Sequence, residues 1–317
     1  MNFRFQISTS TLFSILFLLV FYSFAKAQDD VIKVETNLVA FEVTVTDKDG
    51  KPVRNLQKDD FKLFENNEER EIDFFEQLKK SETGRPLAVV FALDVSGSMT
   101  NEELLKLRNS LKQFTDNLAD YNSYFAIMSF GMEVKTLQSF TNKPEKLEKS
   151  FDKLLKDRDG LSTHAYDATD DAIRLIKRKS PNIIKGKFPK RAIILITDGF
   201  PVGDTVLPKT VIERANDNET SIYTIIIPSF SRLQGNKKPL PTPLEVSGLV
   251  EKTGGKSLYA NAGNFEPIFK ALAEEITASY VLAIYPKAEK GKQAKIRIET
   301  RKGLQTKQNR TTYIIPN

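Results

Sequence analysis

The chain has 317 residues, no cysteine, no tryptophan and one histidine, His164; 47 basic and 41 acidic side chains give it a net charge of +6. Thiolate metal sites, iron–sulfur clusters, disulfides and cysteine nucleophiles are excluded, as is any site needing two histidines, and a Ser-His-Asp triad has only His164 to draw on. The length suits two domains or one large one, and 40% apolar residues can bury a substantial core.

The first 27 residues read as a secretory signal. Arg4 supplies the cation, Leu12 to Ala25 is an almost continuous apolar run of 14 residues, and Ala25-Lys26-Ala27 places small residues where a signal peptidase reads. The run is short for a bilayer span of about 20 residues, so cleavage after Ala27 is expected, with retention as an anchor the alternative. Loss of Arg4 and Lys26 leaves 45 basic against 41 acidic residues, a net charge of +4. There is no block of five or six like charges, so no nucleic-acid partner is expected. No second long apolar run follows, and a secreted or otherwise extracytoplasmic protein without a transmembrane span is expected. The oligomeric state is left open.

Residues 28–82 read as a small β module. Val39, Phe41, Val43 and Val45 alternate with Ala40, Glu42, Thr44 and Thr46, the period of a half-buried strand. Asp47-Lys48-Asp49-Gly50 is a hairpin turn, with Lys51 to Leu56 returning. Asp47 and Asp49 lack the rest of a calcium loop, so turn chemistry is the better reading. Phe61, Leu63 and Ile72, Phe74 predict two further strands about a turn at 65–68.

Residues 83–280 alternate strand and helix. Leu87–Leu93 is continuously apolar, as a strand buried on both faces must be. Helices are predicted over 101–118, 143–155, 165–179, 206–216, 244–252 and 265–279, and strands over 124–130, 134–140, 191–197, 222–227 and 256–260. This order predicts an α/β fold, a doubly wound and mostly parallel sheet with helices on both faces. The tail, 281–317, returns to strands at 280–285, 294–300 and 312–315, with 287–292 and 301–308 as polar connections. Too short to hold a core, it is expected to pair with the first module, making one β domain from both ends of the chain with the α/β domain inserted between them.

The chemistry concentrates after the first buried strand. Asp94-Val95-Ser96-Gly97-Ser98 places three oxygen side chains at i, i+2 and i+4 in a glycine-containing turn. In open α/β sheets, ligands bind at the C-terminal edge of the strands. Thr163 lies in a loop entering a helix, and Asp198 ends the second fully apolar strand. Such hard oxygen donors suit magnesium, with manganese and calcium as alternatives.

With those residues in place, the central region resembles a von Willebrand factor type A domain, whose five-point metal-ion-dependent adhesion site is D-x-S-x-S, then Thr, then Asp. Asp94, Ser96, Ser98, Thr163 and Asp198 match it without departure. The segments at 37–53, 59–61 and 273–282 extend the likeness to a bacterial secreted von Willebrand factor A-related family first described from acidobacteria. The resemblance implies that the serines and often the threonine ligate the metal directly. It also implies that the aspartates bind directly or through water, and that a partner's Glu or Asp carboxylate takes the remaining position.

Other residues carry weaker readings. His164 is a possible modulator of the site but reads by default as an exposed helix-start residue with no obvious orienting partner. Tyr166 and Asp167 have core or capping roles by default. Residues 228–243 leave the C-terminal end of a strand with Arg232, Lys237 and Lys238, and are expected to recruit an acidic partner or to be a solvated linker. Asn218 and Asn309 begin glycosylation sequons that matter only in a host with that machinery. A metal-dependent protein-binding or adhesion module is therefore the expected function, and no enzymatic activity is expected. A metal-stapled scaffold binding through its β module is the alternative; a metal-dependent hydrolase lacks a general base at any recognisable spacing and a phosphate loop.

Overall fold

The computed structural model describes residues 38–77, 86–97, 100–154, 162–227, 241–260 and 264–315. The signal segment, Ser98 and most of the 228–243 loop, including Arg232, Lys237 and Lys238, lie outside the described residues.

The centre is a six-stranded sheet made of β5 (Leu87–Asp94), β6 (Tyr124–Phe130), β7 (Val134–Thr141), β8 (Lys190–Thr197), β9 (Thr220–Ile226) and β10 (Ser257–Tyr259), in the order β10-β9-β8-β5-β6-β7. All neighbours are parallel except β6 and β7, which form an antiparallel pair. Every residue of β5 is buried, because successive side chains face opposite layers of helices. Leu87, Val89, Phe91 and Leu93 pack with α1 (Asn101–Asn117), α2 (Pro144–Leu154) and α6 (Glu266–Ile276). Val90 and Ala92 pack with α3 (Ala165–Lys179), α4 (Pro208–Asp217) and the one-turn α5 (Pro243–Val246). The doubly wound α/β reading holds.

The two ends of the chain build a two-sheet sandwich. Its strands are β1 (Val39–Thr46), β2 (Phe61–Glu65), β3 (Glu68–Arg70), β4 (Phe74–Gln77), β11 (Ser279–Ile284), β12 (Gln293–Thr300), β13 (Gln305–Gln308) and β14 (Thr312–Ile314). One sheet runs β13-β1-β11-β4 and the other β14-β12-β2-β3. Phe41, Val43, Phe61, Leu63, Tyr280 and Ile296 belong to one buried cluster between them.

Three sequence expectations are corrected. Residues 51–56 make only an isolated bridge, Thr46 to Pro52, since the edge of β1 along which they return is taken by β11 over Val39–Thr44, while its other edge pairs with β13 over Val43–Thr46. That strand was expected to be a polar connection. The helix predicted over 244–252 ends at Val246, because Gly248 adopts φ +77°, a left-handed conformation that stops a helix and suits glycine. The Asp47 turn is as read: Oδ1 accepts bonds from the backbone N–H groups of Asp49 and Lys51, both at 2.9 Å.

The sandwich meets the lower, N-terminal edge of the parallel sheet through a buried polar cluster. Lys190, the first residue of β8, is 0% exposed. Its Nζ is paired with the Glu42 carboxylate of β1 and donates to Ser279 Oγ at 2.9 Å and Tyr223 Oη at 3.2 Å. A buried ammonium is tolerated only when paired and hydrogen-bonded in this way.

Candidate metal centre

The upper, C-terminal edge of the sheet gathers the predicted residues from three segments. Adjacent parallel pairing of β5 with β8 puts Asp94 and Asp198 at the ends of neighbouring strands. The segment bearing Thr163 is fastened from both sides. Thr163 and Val202 exchange backbone bonds of 3.3 and 2.9 Å, and the N–H of His164 donates to the Gly131 carbonyl at 3.2 Å. The turn after β6 is itself tied to β5, since the Val95 N–H donates to the Phe130 carbonyl at 2.8 Å. Residues 94–97, 162–164 and 197–203 therefore converge. Of the five predicted ligands, Asp94, Ser96, Thr163 and Asp198 fall in this region and Ser98 lies outside the described residues.

Asp94 is 1% exposed. Its Oδ1 accepts from the Ser96 N–H at 2.9 Å and its Oδ2 from Thr197 Oγ1 at 2.8 Å. Burial pushes its carboxyl above the ordinary carboxylate range and the neighbouring Asp198 pushes it further, against the hydrogen bonds from Ser96 and Thr197. None of these groups is a cation, so two carboxylates and hydroxyl oxygens share the edge. A doubly charged ion matches the pair in charge, and oxygen donors are what magnesium, manganese and calcium take. Among the described residues no group of three or more Asp, Glu, His or Cys is placed to hold a metal, so a metal held here depends on hydroxyl groups as well as the two acids.

Sequence reasoning passed over Thr197. Its hydroxyl donates to Asp94 and accepts from the Gly199 N–H at 3.2 Å, joining the two strand ends. Gly199 has φ +86°, and a Cβ there would come within 2.6 Å of the Thr242 side chain, so the loop leaves Asp198 by a path only glycine allows. Asp167 does more than cap: its Oδ1 accepts from the N–H groups of Thr205 and Val206 at 3.0 and 2.8 Å, pinning the far end of that loop to α3. His164 is partly buried and its Nδ1 lies 3.5 Å from Asp167 Oδ2, so it has the orienting acid that the sequence did not reveal.

Residues 88–241 match the family model of the von Willebrand factor type A domain. The chain carries a von Willebrand factor type A domain. No curated protein matches the chain. Among solved structures, the von Willebrand factor type A domain here is similar to an aerotolerance-related membrane protein from Bacteroides fragilis NCTC 9343, at 17% identity over 60% of this chain and 98% of that one, with a TM-score of 0.44. Proximal thread matrix protein 1 from the mussel byssus matches at 13% identity over 71% and 50% of the two chains, with a TM-score of 0.48. The pilus adhesin SpaC from Lactobacillus rhamnosus GG matches at 13% over 74% and 35%, with a TM-score of 0.45. No described helix is long and apolar enough to cross a membrane.

Proposed function

We propose that this chain is an extracytoplasmic binding protein. In this reading Asp94, Ser96, Ser98, Thr163 and Asp198 hold a divalent cation, magnesium first, and the cation takes a Glu or Asp carboxylate from a protein partner. Von Willebrand factor type A domains commonly mediate protein–protein interaction and adhesion, and the chain has such a domain. The observation that carries the metal reading is the convergence of Asp94, Ser96, Thr163 and Asp198 on the ligand-binding edge of the sheet.

Two aspartates roughly neutralise a divalent ion, which leaves it able to attract a further carboxylate. In a partly dry setting such a charged bond is strong and directional. The role of the chain's residues is to fix the oxygens in place. Thr197 orients Asp94, the Ser96 N–H holds its other oxygen, and the Thr163–Val202 bridge fastens the threonine loop to the aspartate loop. The Arg4 to Ala27 segment supports export.

The test is capture of partners from an envelope or culture extract on immobilised protein, with and without EDTA. The reading expects captured proteins to be released by EDTA and absent from an Asp94→Ala column. Capture that ignores both would overturn it.

A further inference from the structure

Helix α3 changes sign along its length. Its first half carries Asp167, Asp170 and Asp171, its second Arg174, Lys177, Arg178 and Lys179, and α4 beside it adds Arg214. A helix dipole favours acids early and cations late, which accounts for the order but not for how two of the cations are held. Asp170 is 2% exposed. Its Oδ2 accepts from Nε and one terminal nitrogen of Arg174 at 2.9 and 2.8 Å, and its Oδ1 from Arg214 at 2.6 Å. One buried carboxylate thus fixes two guanidinium groups from two helices side by side.

Those groups are not consumed by Asp170. The side chains of Arg174 and Arg214 are 52% and 42% exposed, so donors remain on the outward side. They open on a cleft of about 730 Å³ that Lys177 and Arg178 also line, with Asp217 the one acid among its described lining residues. The Nε of Arg178 is spent on the Arg174 carbonyl at 3.3 Å, which leaves its terminal nitrogens for the cleft. Counting Asp170 with the lining, and Asp171, which lies close enough to Arg174 and Arg178 to feel both charges, four cations face three acids, and the balance stays positive. Arginine forks match phosphate oxygens two at a time, and lysine adds a point charge.

We infer that this cleft is a second ligand site, binding a phosphate-bearing anion between Arg174, Arg214, Lys177 and Arg178. It is separate from the metal centre: Lys177 lies 12 positions beyond Ala165, where α3 begins just after Thr163, roughly 18 Å along the helix at about 1.5 Å per residue. Asp170 is a positioning residue that presents the guanidinium pair.

The test is calorimetric titration of the full chain with pyrophosphate in low salt, with EDTA present so that metal plays no part. Saturable binding is expected, weakened about tenfold in Lys177→Ser/Arg178→Ser and at least as much in Arg214→Gln, each removing charge-assisted bonds. Asp94→Ala is expected to leave it unchanged. Lys177 and Arg178 are exposed, so the double variant keeps its fold, which circular dichroism checks. Two further probes separate the sources of phosphate. Variant-sensitive binding to phosphatidylcholine vesicles containing phosphatidylglycerol assigns a lipid headgroup. Variant-sensitive binding to tripolyphosphate, with vesicles ignored, assigns a soluble or polymeric phosphate. No saturable binding to any probe, or binding that these substitutions leave unchanged, overturns the proposal.

Discussion

Thr197 Oγ1 donates a 2.8 Å hydrogen bond to Oδ2 of Asp94, so the last residue of one central strand steadies the last residue of its neighbour. In the proposed centre this bond leaves Asp94 one defined orientation toward a cation. Thr197→Val keeps the shape and removes the donor. It is expected to weaken manganese affinity about tenfold or more, the usual cost of losing an outer-shell partner. Calorimetric titration of wild type and variant checks this; equal affinities would mean that Thr197 does not set the Asp94 geometry.

At the other end of the same strand, Lys190 pairs with Glu42 inside the junction of sheet and sandwich. Lys190→Met leaves the Glu42 carboxylate buried without its ammonium partner, and a loss of about 3–5 kcal/mol is expected. The double variant Lys190→Met/Glu42→Leu removes both charges and is expected to recover most of that loss. Urea unfolding of the three proteins is the measurement.

Gly255 packs directly against the backbone of β9 at Ile222. A Cβ there would stand 1.8 Å from the Ile222 carbonyl oxygen, which is backbone and cannot swing aside. Gly255→Ala is expected to be among the most damaging single-methyl substitutions, costing more than about 3 kcal/mol or leaving the protein insoluble on expression. A melting temperature within a few degrees of wild type would show that β9 can yield.

Tyr259 on β10 predicts an alkaline effect. Burial, and then its hydrogen bond to Glu245 Oε1 at 2.5 Å, raises its phenol from 10.0 to about 12. Between those values the unfolded chain has lost this proton while the folded chain keeps it, so its contribution to stability is full below pH 10 and falls as the pH rises toward 12. Tyr259→Phe removes this contribution. Stability measured against pH should therefore fall less steeply over that window in the variant than in wild type; parallel curves would exclude it.

The fold was legible where burial imposes a period. Leu87–Leu93 and Ala192–Ile196 are apolar because both faces of their strands are covered, and that pattern also located Asp94 and Asp198 at strand ends. It fell silent on β13, Gln305-Thr306-Lys307-Gln308, an edge strand whose side chains stay partly or fully exposed, so pairing with β1 leaves no apolar signature. The early end of α5 lay in one glycine conformation at Gly248, which composition does not announce. At the site, residue types pointed to the oxygen donors themselves. The partners that hold them, Thr197 for Asp94 and Val202 for Thr163, depend on strand order and loop path, and so became visible only in three dimensions.

In the proposed metal centre these oxygens hold one divalent cation. This is tested most directly by titrating manganese into the metal-free full chain and into Asp94→Ala, with circular dichroism to verify folding. One ion per chain is expected in the wild type, competed by magnesium, and lost in a variant that remains folded. A wild type that binds no ion, or an Asp94→Ala variant that binds it equally well, would contradict it.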